Sequence, residues 1–507
     1  MQELKRVLGP WMATAVVIGT VIGSGVFKKP HAVAQQLTDF GLIMLAWVLV
    51  GVLAFFGSLI LAEIAIIHPR AGGNYVFLRE GYGRWAGFLW GWVEFWIIRS
   101  GSIAALATVF SETFHDLLRY ITEVEGSAKV LTFWEERGVT VTVIAVLAVV
   151  NARGTVLGGG LQLLITAVKI LSLLGIALLP FVFLALRRES PVDAGLLEPV
   201  WPEDVSAIDW SRFGAAMVGI LWAYHGWMNL APMAEEVKDP NRNLPLAFLT
   251  GTLVVMALYL SVNLAYHLVV SRPDMISQCA NTPVATVFSV RLLGQTGLLL
   301  ASLAVMISVF GALNGNLLVG PRLLFAMGRD GLAPRSLAQL HPRFGTPAYA
   351  QAVLTGWSIV LVLGGAFYVG LAESKATYFA FRDMLLNWSF SEEQIGWISE
   401  RVFVTKGLFD VFTDYAMFGA VSFETLAVAS IFVCRRQYPV GQVQLPYRCW
   451  GYPWIPIFYV AVMSAVLVNM FVTKTLESLV ATCFIGVGAV VYVTVFAWRR
   501  AKPPLAA

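Results

Sequence analysis

Charge is scarce in this chain: Asp, Glu, Lys and Arg make up 13% of 507 residues, where soluble domains carry about 25%. Cysteine is scarcer. The four thiols, Cys279, Cys434, Cys449 and Cys483, show no metal-ligand spacing and read as small apolar residues or free thiols. The apolar runs contain no HExxH, no paired acids and no Ser–His arrangement, so an intramembrane enzyme is not expected and neither is a cofactor or metal. Glu63 and Glu94 read as isolated structural acids. A net charge of +4 gives no reason to expect nucleic acid as a partner. No cleavable signal peptide is evident, because the first apolar run is too long and leads into a break rather than a cleavage site.

What the chain has instead is apolar length: 58% of its residues are hydrophobic, in runs long enough to cross a bilayer. About twelve spans are expected, near 9–36, 40–67, 85–113, 138–151, 155–186, 212–236, 245–270, 295–327, 347–370, 408–434, 453–472 and 475–498. The short connections containing Lys5-Arg6, Arg70 to Arg84, Arg153, Lys238 to Arg242, Arg329 to Arg343, Arg435-Arg436 with Arg448, and Arg499-Arg500 are basic. The segments Asp116 to Glu136, Glu189 to Asp209 and Glu373 to Glu400 are richer in acid. By the positive-inside rule both termini are cytoplasmic.

Two of the spans are interrupted. Gly19-Thr20-Val21-Ile22-Gly23-Ser24-Gly25 places three glycines in seven positions, each costing about 1 kcal/mol of helix propensity. Leu221 to Pro232 breaks the sixth span with Gly226, His225, Asn229 and Pro232. One such break also fits a small-residue helix contact. Two, five spans apart, fit inverted repeats whose interrupted helices hold a ligand near the midplane. The halves would be 1–190 and 191–437, followed by 438–507.

These residues carry a family resemblance. Gly23-Ser24-Gly25-Val26-Phe27 resembles the GSGIF motif of the L-amino-acid transporter branch of the amino acid–polyamine–organocation superfamily. Trp222-Ala223-Tyr224-His225-Gly226-Trp227 resembles its sixth-helix motif, and Glu235-Glu236 through Pro245 its following cytoplasmic stretch. Val309 to Gly315 with Pro321-Arg322 and Gly328 to Gly331 is similar to its eighth helix. The resemblance implies an all-α polytopic membrane protein of the leucine-transporter type, with two inverted five-helix repeats, two trailing helices, and helices 1 and 6 broken. It implies amino acid movement by alternating access, often as exchange, across the plasma (inner) membrane.

Physical chemistry assigns the site. Backbone N–H groups after Gly23, with the Ser24 hydroxyl, suit a carboxylate. Carbonyls near Trp222, Ala223 and Tyr224 suit an ammonium. Gly23, Gly25 and Gly226 allow close approach to bare backbone. The substrate-binding set is therefore Ile22, Gly23, Ser24, Gly25, Trp222, Ala223, Tyr224, His225 and Gly226. The resemblance makes Trp222 the gate. Tyr224 and Trp227 are expected to pack.

Lys169 is a charge at depth in the fifth span and should face the interior rather than snorkel. It resembles the lysine that replaces a sodium ion in sodium-independent members, with Ser308 as a possible partner. That implies sodium independence, and pH dependence if Lys169 loses its proton. His225 stands where some relatives carry a glycine or an aspartate, the latter associated with cationic side chains, and loss of that carboxylate argues against Lys or Arg as substrates. As a histidine it either senses pH or stays neutral and hydrogen-bonded. Met228 favours an apolar side-chain pocket. Lys28-Lys29 would line the vestibule, attract acidic substrates, or snorkel.

An insertion at 372–407 contains Ser391-Glu392-Glu393-Gln394, a capping box before a short amphipathic helix. The loop 114–137 holds no cysteine, so no disulfide-linked heavy chain is expected. The expected function is carriage of neutral L-amino acids, by exchange or with protons. Acidic amino acids, polyamines, or a non-transporting receptor are the alternatives.

Overall fold

A computed structural model of the chain describes residues 4–122, 130–186, 192–280, 282–372, 374–402, 408–439, 442 and 444–497. Arg499-Arg500, the core of the 114–137 loop and the segments 187–191 and 403–407 lie outside the described residues. Among the described residues the regular elements are all helices, apart from one isolated parallel bridge between Leu8 and Val237.

Among the described residues, ten helical segments are long and apolar enough to cross a membrane. The fourth and sixth expected spans fall short for local reasons. The fourth, Phe133–Ala152, opens with Glu135, Glu136 and Arg137, whereas the sixth is interrupted. The fourth begins five residues before its expected start because Thr132 and Glu135 form a reciprocal capping box (Thr132 N–H to Glu135 Oε2 2.7 Å; Glu135 N–H to Thr132 Oγ1 3.3 Å). Thr132→Ala is expected to cost about 1 kcal/mol, read as a small drop in the thermal unfolding midpoint.

Several short helices fall in stretches expected to be connections. Asn74–Tyr82 buries Tyr75, Val76, Phe77 and Leu78, and Arg272–Gln278 and Val284–Leu293 lie between the seventh and eighth spans. The Ser391 capping box forms as expected: the Gln394 N–H donates to Ser391 Oγ at 3.2 Å and the Ser391 N–H to Gln394 Oε1 at 2.9 Å, opening Glu392–Val402.

Burial sorts the spans into layers. The apolar stretches of Pro10–Gln36 and Arg84–Ile121 are 78% buried, against 11% for Thr475–Phe496. The first and third spans are thus central, and the last faces outward.

The acid pair at the end of the sixth span fastens one face of the bundle. Glu236 receives Arg322 Nε at 2.7 Å and the Thr155 hydroxyl at 2.7 Å, while its backbone carbonyl accepts the Val7 and Leu8 N–H groups at 2.9 Å each. Glu235 takes a two-pronged bond from Arg329 (3.1 and 3.0 Å) and the Ala71 N–H. Four parts of the chain therefore meet at two neighbouring glutamates.

Glu63 and Glu94 are not isolated, correcting the reading from sequence. Glu63, fully buried, pairs with Arg435 at 2.7 Å and accepts the Cys449 N–H. Glu94 pairs with Arg99 at 2.5 Å. A buried acid survives where a cation and hydrogen bonds compensate its lost hydration.

Candidate functional site

The first span runs as Pro10–Val21, stops, and restarts as Gly25–Gln36. Among the described residues the N–H groups of Gly23, Ser24, Gly25 and Val26 find no acceptor, leaving the new helix start with its positive end undressed. The carbonyls on the other side of the break are well served. Lys169 Nζ donates to Gly19 at 2.8 Å and to Ile22 at 2.6 Å. The Ser308 hydroxyl lies 3.3 Å from the Ile22 carbonyl and 3.2 Å from that of Gly23. Lys169 is 1% exposed, so it does not snorkel. It and Ser308 converge on the Ile22 carbonyl from the fifth and eighth spans.

The sixth span runs as Trp210–Tyr224 and resumes as a 3-10 stretch, Trp227–Glu236. Gly226 takes φ 115°, in the left-handed region that favours glycine, and a Cβ there would lie 3.0 Å from the Thr20 carbonyl oxygen. Its own carbonyl accepts the Thr20 hydroxyl at 3.0 Å. Gly25 is the matching close approach, since a Cβ on it would fall 2.4 Å from Ala223 Cα. The two breaks therefore touch backbone to backbone. Tyr259 of the seventh span ties them, its hydroxyl 3.0 Å from the Val21 carbonyl and 3.1 Å from that of Ala223.

Beside this junction lies a cavity of about 30 Å³, room for one or two water molecules. The first span contributes Thr20, Val21, Gly23, Ser24 and Gly25, and the third Ser102 and Leu106. Trp222, His225 and Asn229 come from the sixth, and Asn316 from the eighth. The buried hydroxyls of Ser24 and Ser102 have no partner among the described residues.

Five of the nine residues selected from sequence line this cavity: Gly23, Ser24, Gly25, Trp222 and His225. The other four surround it. Ile22 gives its carbonyl to Lys169, Ala223 packs on Gly25, Gly226 packs on Thr20, and Tyr224 turns toward Trp47 and Tyr259. Of the three carbonyls assigned to an ammonium, that of Trp222 already accepts the His225 N–H and that of Ala223 lies beside the Tyr259 hydroxyl. The Tyr224 carbonyl takes no donor from the described residues. Met228 lines a separate small cavity with Asn74, Trp90 and Arg99, so it does not shape the first. Lys28 pairs with Glu112 at 2.8 Å.

Sequence reasoning missed several partners. Arg99 donates to Asn316 Oδ1 at 2.6 Å and to Asn229 Oδ1 at 2.9 Å, fixing two cavity-lining amides. It ends a π-helical turn, Glu94–Arg99, and such turns occur often at functional sites. Glu424 of the tenth span lies 2.8 Å from His225 Nε2, and His225 stacks on Trp222 with the rings 3° from parallel. Arg99 and Glu424 carried a usable signal, since each is a charged residue inside an apolar span.

Comparison with known proteins gives the same reading. The family model described as amino acid permease matches residues 8–496. The chain is 34% identical over 364 residues to the serine/threonine exchanger SteT of Bacillus subtilis (strain 168), covering 71% of this chain and 77% of that one. It is 30% identical to the human Asc-type amino acid transporter 1 (72% and 67% covered) and 29% identical to the human cystine/glutamate transporter (75% of each). With two interrupted spans meeting at a buried polar cavity and a family match along nearly its whole length, this chain belongs to the amino acid permease family, in the L-amino-acid transporter branch of the amino acid–polyamine–organocation superfamily.

Proposed function

We propose that this protein carries neutral L-amino acids across the plasma (inner) membrane without sodium, by alternating access. The observation that carries this is the undressed N–H group set of Gly23 to Val26 beside the unpaired Ser24 hydroxyl. Such a helix start suits a carboxylate, and the Tyr224 carbonyl nearby in the opposing break suits an ammonium. His225 is the only titratable side chain on the cavity wall among the described residues, which favours uncharged substrate side chains over acids and polyamines. Lys169 places its side-chain nitrogen on two carbonyls of the first break, which supports sodium independence. Trp222 is the residue we assign as gate. The cavity is too small for an amino acid, so loading requires the helices to part.

The face fastened by Glu235 and Glu236 is read as cytoplasmic, along with both termini, from the placement of Lys and Arg. We read 1–190 and 191–437 as inverted repeats and 438–507 as an added helix pair. No heavy-chain partner is proposed, since the loop 114–137 has no cysteine to bond one.

Counterflow into proteoliposomes, with a panel of amino acids and with or without sodium, tests the proposal. Neutral substrates should exchange equally well in both conditions. Binding without flux would favour a receptor, and a sodium requirement would overturn the role given to Lys169. Ser24→Ala removes one hydrogen bond of about 0.5–1.5 kcal/mol. The expected result is a KM raised about two- to tenfold with the maximal rate retained.

A further inference from the structure

The His225–Glu424 contact does more than hold an imidazole in place. Both side chains are largely buried, at 13% and 7% exposure, and they come from different elements. His225 sits in the non-helical link between the halves of the sixth span, whereas Glu424 sits within the helix Leu408–Ala429. His225 lines two cavities, the substrate cavity and a second one bounded by Glu424, Tyr224, Tyr459, Met417 and Met463. It is thus the wall between them.

No other charged side chain lines that second cavity among the described residues. The second span presents Leu53 and Ala54, the sixth Leu221, Trp227 and the Tyr224 phenol, the tenth Met417 and Val421, and the eleventh Tyr459 and Met463. Across the substrate cavity, Arg99 is engaged by Glu94, Asn229 and Asn316, and Lys169 by the Gly19 and Ile22 carbonyls. A Glu424 carboxylate facing a neutral imidazole would be an uncompensated charge in an apolar wall. Such a charge is expensive unless a proton joins it. One added proton, on imidazole or carboxyl, makes the pair neutral overall.

We propose that His225 and Glu424 together form a proton-binding site of the transport cycle. This rests on the amino acid transport proposed above and specifies its coupling. Closed, the pair keeps its proton. When the sixth-span link moves during alternating access, the 2.8 Å contact opens and water reaches the carboxyl. The proton then passes to water on the alkaline side. The amino acid and the proton share one moving part, the backbone link at His225 and Gly226.

The test uses the full chain in proteoliposomes with a one-unit pH gradient, acidic outside, and no amino acid inside. One proton carried per substrate supports up to about tenfold accumulation for that gradient. The wild type should accumulate several-fold more substrate than at equal pH, while Glu424→Gln, near-isosteric and still able to hydrogen-bond His225, should lose that excess and keep counterflow at equal pH. A wild type with intact counterflow and no response to the gradient would overturn the proton site alone. Absence of wild-type counterflow would overturn the transport reading beneath it.

Glu424→Gln that still follows the gradient would also overturn the assignment. Should that variant not transport, proton release on adding substrate in weakly buffered detergent decides. The wild type and Glu424→Asp should release or take up protons, and monodisperse Glu424→Gln should not. Equal proton exchange by all three would refute the site.

Discussion

Lys169→Ala should reduce counterflow to background, a loss of about 100-fold or more. The Lys169 Nζ donates to two carbonyls that the break has stripped of helical partners, those of Gly19 and Ile22. Each buried acceptor left without a donor costs about 1–3 kcal/mol. Ser308 still reaches Ile22, but nothing else described reaches Gly19. The cheapest escape is for residues 19–25 to rewind into helix, which recovers the backbone bonds and consumes the free N–H groups that make the site. Initial-rate counterflow on monodisperse protein checks this. An unchanged rate with an unchanged pH profile would remove the lysine from the mechanism.

Gly25→Ala is the second large effect, and it acts by shape alone. The added methyl would sit 2.4 Å from Ala223 Cα and 2.7 Å from Ala223 Cβ, against about 3.5–4.0 Å for carbon atoms in contact. Ala223 Cα is main chain and cannot swing aside, so the two breaks must separate by about an ångström. A misplacement of that size costs on the order of 100-fold where geometry carries the activity. Transport should fall below one-tenth, with expression and membrane insertion retained. Gly160→Ala on the fifth span is the control. A Cβ there meets nothing within 4 Å, and alanine is the better helix former. Loss of transport in both variants would mean that the effect is not local.

Both breaks were legible in the sequence because their cause is local. Glycines and a proline inside apolar runs cannot sustain a helical ladder, and Lys169 declared itself through the cost of burying charge. The neighbours of those breaks were not legible. Tyr259 is an ordinary aromatic on an ordinary span until its hydroxyl is found between the Val21 and Ala223 carbonyls. Asn229 and Asn316 acquire meaning only when Arg99 joins them. Glu424 is different, because the cost argument applied to Lys169 applies equally to an acid in the tenth span, and only its partner required the fold. The short helix Asn74–Tyr82 was hidden among basic residues, since its buried face is a run of five residues, Asn74 to Leu78, rather than a helical stripe.

The Tyr259 hydroxyl carries a single hydrogen and stands between two acceptors. At any instant it donates to one of them, and the other carbonyl goes without. Motion of the paired helix ends would decide which of the two keeps the hydrogen, not how many are served. The unserved oxygen of Val21 or Ala223 is the place at the junction where an arriving cation or water would find an open acceptor.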